Sequence, residues 1–200
     1  KQRFKVENNS KIKISYLSQE PISNDIQKKI INKLKVVLKN TDLLIFSDFN
    51  YGCLPQQLVN KILKIAKENN VLITADSQSS SQIGDIARFK GVNMITPTER
   101  EARVSVKNET DGLVILGKKL QQISKSENII LTLGSEGLLI FSLLKNKESK
   151  IDKLPALNNN PKDISGSGDS LLVISSLFLA LNSNIWEASL MGSLSAALQS

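Results

Sequence analysis

The sequence contains no histidine and only one cysteine, Cys53. Without histidine there is no Ser-His-Asp chemistry, no His-ligated zinc and no imidazole acid–base group, so carboxylates and lysines are the candidate proton carriers. A single cysteine excludes an internal disulfide and a cluster of metal thiolates. We interpret Cys53 as a half-buried filler of its loop, because no histidine is present to activate it as a nucleophile.

Aromatic residues are also scarce, at 4% of the chain. This scarcity argues against the stacking platforms that bind single-stranded nucleic acid. The formal net charge of +7 would suit nucleic acid, an acidic surface or a phosphorylated substrate. The lysines, however, are scattered along helical stretches such as residues 28–40, which is typical of a solvated helix face. Nucleic acid is therefore not an expected partner.

Long hydrophobic runs are missing as well. The longest apolar stretch, residues 171–181, is too short and too interrupted by serine to span a bilayer. We find no signal-peptide pattern in the given sequence, and we expect a cytoplasmic protein with no membrane partner. The chain begins without an initiator methionine, and we interpret it as an N-terminally incomplete part of a longer protein, with a bifunctional protein left open.

What is present is an α/β pattern. Residues 2–17 alternate between apolar and polar side chains around a turn at 7–10, which predicts a β-hairpin. A helical period starts at Ser23, the expected N-cap. We therefore predict two units, a small hairpin at 1–18 and an α/β domain at 19–200.

Within the larger unit, short apolar strands alternate with amphipathic helices. This order predicts a central, mostly parallel sheet covered by helices on both faces. The predicted strands are residues 43–47, 71–75, 92–96 and 128–133, then a hairpin partner at 137–143 and one more strand at 150–156. The predicted later helices are residues 55–70, 111–125, 166–181 and 185–198, of which 166–181 is apolar enough to be fully buried.

Ligands of such sheets bind beyond the carboxyl ends of the strands. Polar, acidic and glycine residues gather there, namely Asp48, Asp76, residues 96–101, residues 134–137 and the loop before Gly166. For Asp48 and Asp76, a substrate contact and a simple role in the turn are both open.

The segment Gly166-Ser167-Gly168-Asp169 opens the penultimate helix. Glycines allow close approach to a ligand, and the free amides of a helix amino terminus favour an anion such as phosphate. A carboxylate beside that anion can act as a base toward a substrate hydroxyl, as phosphoryl transfer requires. The alternative is a helix start with an acidic first turn and glycines for packing.

Two other features have plainer interpretations. Residues 112–119 nearly spell a phosphate-binding loop, but Lys119 stands where a hydroxyl should be and the segment follows a helical period. We predict a helix there. Trp186 is interpreted as a packing residue and not as a platform for a base.

Three segments together resemble the ribokinase-like carbohydrate kinases, the phosphofructokinase-B family. Residues 163–169, DISGSGD, resemble the D-T-x-G-A-G-D signature of that family. Residues 96–101, TPTERE, resemble its T-P-N-x-x-E segment, with Thr98 in place of Asn. Residues 131–137, LTLGSEG, resemble the T-x-G-x-x-G turn of its nucleotide site.

The resemblance implies a ribokinase-like three-layer fold and ATP-dependent phosphorylation of a sugar or sugar phosphate. It assigns roles to residues that match the family motifs. These are Asp169 as catalytic base; Gly166, Ser167 and Gly168 as the anion hole; Thr132, Gly134 and Gly137 at the nucleotide; Glu101 at Mg²⁺; and Asp163 near a monovalent cation such as K⁺. The opening hairpin resembles part of the β-lid that covers the sugar in this family and pairs two subunits into a homodimer.

Within the family, residues 44–52, residues 73–78 and the opening stretch resemble the heptose 7-phosphate kinases of ADP-heptose synthesis. Tyr51 and Gln78 stand where those enzymes carry Lys, so the substrate differs or the activity is weakened. The alternatives are another sugar kinase of the family and a non-catalytic relative that serves as a binding module. Nucleic-acid binding that falls steeply with salt would favour the latter.

Overall fold

The computed structural model describes residues 2–6, 9–14, 20–78, 84–144, 148–158 and 160–200. Its first strands, β1 (Gln2–Val6) and β2 (Asn9–Ile14), pair antiparallel in a two-stranded sheet of their own. The predicted hairpin is confirmed, while the turn residues 7–8 and the predicted end at 15–17 lie outside the described residues. The division into units at residue 18 stays a prediction.

A second sheet of six strands forms the centre of the structure, in the order β3-β4-β5-β6-β7-β8. Its strands are β3 (Leu43–Asp48), β4 (Leu72–Ser77), β5 (Met94–Ile95), β6 (Asn128–Thr132), β7 (Leu138–Leu143) and β8 (Ser149–Leu154). The first four pair in parallel, and the last two are antiparallel additions at one edge. The predicted mostly parallel sheet is confirmed, although the predicted strand 92–96 is reduced to two residues.

The helices also follow the sequence pattern closely. They are α1 (Asn24–Val37), α2 (Gln56–Glu68), α3 (Glu99–Val106), α4 (Leu113–Ser124), α5 (Ser167–Ala180) and α6 (Ile185–Gln199). Ser23 caps α1 as predicted, because its hydroxyl accepts from the amide of Ile26. Residues 112–119 lie at the start of α4, which confirms that they form a helix. Helix α3 was not predicted.

Two hydrophobic cores lie on opposite faces of the sheet. In β6, Ile129 and Leu131 point to the face covered by α2 and α4, while Ile130 points to the face covered by α5. This alternation is the period of two that a strand imposes. The structure is therefore a three-layer α/β fold, as predicted. Trp186 is half-buried against the second core with Lys150 Nζ 5.0 Å from its ring centroid, which confirms its packing role.

Two predictions of burial are wrong. Helix α5 is not fully buried, since Val173 and Leu177 are 41% and 45% exposed. Its buried stripe includes the small Ser175, against which Gly192 of α6 packs so closely that a Cβ there would meet the Ser175 hydroxyl. Leu171 and Leu172 are buried in the second core, while Val173 and Leu177 lie on the exposed side of α5. Cys53 is exposed and not half-buried.

Within the described part of the chain, no helix combines the length and the apolar character needed to cross a membrane.

Candidate active site

The carboxyl ends of β3 and β4 bring two acidic residues to the same edge of the sheet. Asp48 ends β3 and pairs in register with Ser77, while Asp76 pairs with Ser47. Both carboxylates are buried. The parallel pairing thus explains why two aspartates 28 positions apart along the chain come to one place.

Asp169 lies in the first turn of α5 and contacts the residue that follows β4. The side-chain amide Nε2 of Gln78 donates a hydrogen bond to Asp169 Oδ1 at 3.2 Å. Asp169 is half-buried at this edge. The predicted catalytic base therefore stands beside the end of β4, across 91 residues of sequence.

Asp76 is held in a negatively charged environment. Its burial, and the nearby charges of Glu101 and Asp169, raise the pKa of Asp76 to about 7, although a hydrogen bond from the Ser77 backbone opposes the shift. Three predicted site carboxylates are therefore coupled electrostatically. A bound cation would relieve this repulsion.

Glu101 is positioned by the amino terminus of α3. Its Oε2 accepts hydrogen bonds from the backbone amide and the hydroxyl of Thr98, both at 2.8 Å. Thr98 Oγ1 in turn accepts from the amide of Glu101 at 3.3 Å, which completes a capping box. The capping box therefore holds the buried Glu101 carboxylate in place. Glu101 follows β5, the strand that pairs with β4, and β4 carries Asp76.

The glycine loop, residues 166–168, is preceded by a turn with its own internal hydrogen bonds. Gly166, with a φ of 87°, is the N-cap of α5 and provides no side chain to its amides. Asp163 Oδ1 accepts from the amide of Ser165 at 2.9 Å, and Ser167 Oγ donates to the carbonyl of Ile164 at 2.8 Å. Among the described residues, the amides of Gly168 and Asp169 have no hydrogen-bond partner.

A large cleft of about 1410 Å³ extends from this loop toward the end of β6. Residues of the turn after β6 and residues of α5 line it together. They include Thr132, Gly134, Gly137, Ser167 and Gly168, with Arg100, Arg103 and Lys107 supplying positive charge. The predicted nucleotide residues and part of the predicted anion hole thus share one cleft; Asp163, Gly166 and Asp169 are not among its lining residues.

Gly137 is required by the close approach of two chain segments. Its φ is 90° and its ψ is −127°, a region that only glycine adopts readily. A Cβ there would overlap the carbonyl oxygen of Leu154 and stand 2.6 Å from the amide nitrogen of Ala156. Gly134, with a φ of 61°, faces open space instead. Of these two glycines, Gly134 is therefore the one whose surroundings leave room for a ligand.

Asp48 has partners inside the protein for both carboxylate oxygens. Arg88 Nη2 lies 2.6 Å from Oδ2, and the amide of Asn50 donates to Oδ1 at 3.0 Å. Asn50 also donates through Nδ2 to the carbonyl of Gln78 and to the hydroxyl of Ser77. Asp48 thus organises the loop after β3.

No group of three or more acidic or cysteine side chains among the described residues is arranged to enclose a metal ion. A magnesium ion that enters with a nucleotide needs fewer protein ligands, since it keeps several waters and phosphate oxygens. The coupled carboxylates of Asp76 and Glu101 suit such a partial set of ligands.

Arg88 and Asn50 were not predicted as site residues, and Gln78 was noted only as a departure from a family pattern. Apart from the bond of the Asn50 amide to Asp48, the partners that matter here are distant in sequence, and no local motif marks them. The capping box of Thr98 and Glu101, by contrast, is a spacing that predicts the start of α3.

Comparison with known proteins identifies the family. The sequence pattern of the pfkB family of carbohydrate kinases matches residues 8–199 of this chain. The chain is a member of this family. Among curated proteins it is similar to the bifunctional protein HldE of Nitratiruptor sp., with 26% identity over 202 residues that cover 99% of this chain and 40% of that protein. The chain thus spans less than half the length of the curated relatives it matches.

Solved structures of the pfkB and ribokinase type confirm the fold. Escherichia coli phosphofructokinase-2 in complex with potassium matches with a TM-score of 0.73 and 14% identity, over 88% of this chain and 56% of that one. Arabidopsis thaliana ribokinase complexed with ribose and ATP matches with a TM-score of 0.66 and 15% identity, over 90% of this chain and 53% of that one. These two structural matches show that this pfkB chain has a ribokinase-like three-layer architecture.

Proposed function

We propose that this pfkB chain carries out ATP-dependent phosphorylation of a hydroxyl group on a sugar or sugar phosphate. The arrangement at the start of α5 carries the proposal. The amides of Gly168 and Asp169 have no partner among the described residues, and the Asp169 carboxylate lies in the same turn. These amides could bind an anion and the adjacent carboxylate could act as a base, and this combination supports phosphoryl transfer.

In the proposed step, the Asp169 carboxylate accepts the proton of the substrate hydroxyl as its oxygen attacks the γ-phosphorus. The bond from the γ-phosphorus to the bridging oxygen breaks, and ADP leaves with that electron pair. The backbone of Gly166, Ser167 and Gly168 holds the transferring phosphoryl group, with the positive end of the α5 dipole beneath it. Proton, phosphoryl group and charge are all accounted for within this site.

The nucleotide is proposed to lie in the cleft between α5 and the end of β6. Thr132 and Gly134 line this cleft together with Ser167 and Gly168, and Gly134 leaves open space. Arg100 and Arg103 line the same cleft with positive charge, although Arg103 is also paired with Glu99 at 2.7 Å. Gly137 contributes by shaping the turn, because its backbone contacts leave no room for a side chain.

Glu101 is proposed to help hold magnesium that arrives with the nucleotide, and Asp76 contributes charge to the same site. When bound, the ion would neutralise charge on the transferring phosphates. Asp163 is proposed to lie near a monovalent cation, and the structural relative solved with potassium supports K⁺.

The substrate side is proposed to involve the ends of β3 and β4. With a pKa raised to about 7, the Asp76 carboxyl can donate or accept a hydrogen bond to a sugar hydroxyl near neutral pH. Asp48 would act indirectly, through the loop that contains Asn50 and Tyr51. The similarity to HldE proteins favours heptose 7-phosphate, and fructose- or ribose-type sugars are the alternatives.

The hairpin β1–β2 is proposed to form part of a lid over the sugar and to pair with a second copy of the chain. Light scattering on the intact protein tests this, since deletion of residues 2–14 is expected to convert a dimer into a monomer. A monomeric intact protein would contradict the pairing.

Phosphotransfer by the intact protein tests the function. ATP and Mg²⁺ are supplied with heptose 7-phosphate, fructose, ribose and adenosine in parallel, and the products are identified by ³¹P NMR. One acceptor is expected to be phosphorylated, and the nearly isosteric Asp169→Asn is expected to reduce kcat by about 100- to 10,000-fold. An intact, folded protein that neither turns over nor binds Mg·ATP would overturn the proposal. Salt-sensitive binding of RNA or DNA by such a protein would favour the binding-module alternative.

A further inference from the structure

We propose that Gln78 is a positioning residue that holds the Asp169 carboxylate in orientation for proton transfer by donating a hydrogen bond to its Oδ1. The inference rests on the proposed function, because it assigns Gln78 a part in the same reaction. It goes beyond that function in naming which group outside α5 orients the base.

The contact itself is between a donor and an acceptor that have fixed chemical roles. Gln78 Nε2 can only donate, and an ionised carboxylate can only accept. Their separation of 3.2 Å lies at the upper end of ordinary N–H···O distances. With Oδ1 engaged by the amide, Oδ2 is the oxygen left to receive the proton.

Gln78 is itself anchored through its backbone. Its amide donates to the carbonyl of Asp48 at 2.9 Å, and its carbonyl accepts from Asn50 Nδ2 at 2.9 Å. The same amide group of Asn50 donates to Ser77 Oγ at 3.1 Å. The two Nδ2 protons of Asn50 are therefore both used in hydrogen bonds to Ser77 and Gln78.

Asn50 is in turn held in an unusual conformation. Its φ is 58°, in the left-handed region, and its backbone amide donates to Asp48 Oδ1 at 3.0 Å. Arg88 holds the other oxygen of Asp48. A continuous series of hydrogen bonds therefore runs from a buried ion pair to the base.

A neutral donor suits this location because the Asp169 carboxylate already interacts with another carboxylate. The charges of Asp169 and of Glu101, at the start of α3, both raise the pKa of Asp76 at the end of β4. Repulsion from a charged Asp76 favours rotation of the Asp169 side chain away from it. One directed hydrogen bond from a fixed amide opposes that rotation without adding charge.

Three substitutions at Gln78 distinguish the effect of its hydrogen-bond donor from the effect of its side-chain shape. Gln78→Glu keeps the shape and loses the donor, Gln78→Lys changes the shape and keeps a donor, and Gln78→Ala removes both. We expect Glu and Ala to lower kcat about 10- to 100-fold with the KM for ATP nearly unchanged, and Lys to retain most of kcat. If Glu retained kcat while Lys lost it, the side chain would act through shape and the inference would be overturned.

A second measurement does not depend on turnover. In a ¹H–¹⁵N spectrum of the intact protein, the side-chain amide resonance of Gln78 is expected to shift when Asp169 is replaced by Asn, and to stay in place in Asp25→Asn, a surface control. An unchanged resonance in Asp169→Asn would overturn the inference. If the wild type showed no phosphotransfer but this shift was present, the proposed function would fail while the Gln78–Asp169 contact stood.

Discussion

Arg88 and Asp48 form a buried ion pair in which Nη2 lies 2.6 Å from Oδ2, with side chains 15% and 3% exposed. Arg88 Nη1 also donates to the carbonyl of Leu54 at 2.9 Å, and the guanidinium carbon lies 4.7 Å from the centre of the Phe89 ring. The pair therefore fastens the loop after β3 to the segment after β4. The hydrogen bonds of Asn50 to Asp48, Ser77 and Gln78 continue from this attachment.

Removing one partner of this pair is expected to leave a buried charge without compensation. Arg88→Met should lower the free energy of unfolding by about 3–5 kcal/mol, measured by urea denaturation of the intact protein. The matched control is Lys119→Met, which breaks the surface pair of Lys119 and Asp111 and should cost less than about 1 kcal/mol. Equal losses in the two variants would contradict the buried character of the first pair.

Asp76 is expected to make stability depend on pH. Its pKa rises from 3.8 to about 7 on folding, so the folded chain binds a proton more tightly than the unfolded chain. The free energy of unfolding therefore falls as pH rises through this range, by about 2–4 kcal/mol from this group. In Asp76→Asn, the free energy of unfolding should fall less between about pH 4 and 8 than in the wild type. Urea denaturation of both proteins in EDTA across this range measures the difference.

The same experiment has a metal arm. Replacing EDTA with excess Mg²⁺ should flatten the wild-type decline, because a cation beside Asp76 and Glu101 stabilises their charged forms. Parallel pH curves for wild type and Asp76→Asn would show that Asp76 is not the group responsible.

Gly137 and Gly134 should respond differently to alanine. Gly137→Ala would place a Cβ against the carbonyl of Leu154 in a backbone region that alanine avoids, so we expect a loss of about 3 kcal/mol or more. Gly134→Ala meets no atom and bears only the cost of its left-handed backbone, about 1–2 kcal/mol. Thermal denaturation of both variants checks this, and a larger loss at Gly134 would contradict the packing described.

Thr98→Ala removes the cap of α3 and is expected to cost about 1 kcal/mol. Thr98→Asn keeps an accepting oxygen at the N-cap and should leave the free energy of unfolding within about 0.5 kcal/mol of wild type. Chemical denaturation separates them. If the cap also positions Glu101, only Thr98→Ala should raise the Mg²⁺ concentration needed for half-maximal phosphotransfer; equal effects would refute that link.

Local patterns were sufficient for most of the fold. Short, continuous apolar runs marked β6 and β7, and the Ser23 hydroxyl marked the start of α1. Helix α3 was missed because its sequence, EREARVSV, has no broad apolar stripe, although the Thr98–Glu101 spacing signals its beginning. Burial along α5 was overestimated because apolar composition does not reveal which neighbours cover a helix.

The candidate site was predictable where a motif is continuous and not where partners come from separate strands. Gly166 to Asp169 form one segment, and its geometry follows from the helix start. The contact of Gln78 with Asp169 depends on the order of strands and on a loop fixed by Asn50. No local rule links residues so far apart, so this part required the structure.

The central claim is that Asp169 takes the proton while the glycine loop holds the phosphoryl group. Its most direct test compares wild type and Asp169→Asn in the intact protein, with Mg·ATP affinity measured by calorimetry and single-turnover phosphotransfer measured on the accepted sugar. The account predicts affinity within about threefold of wild type and a transfer rate at least about 100-fold lower. A variant that transfers phosphate at the wild-type rate would show that another group is the base, and the mechanism proposed for this site would be wrong.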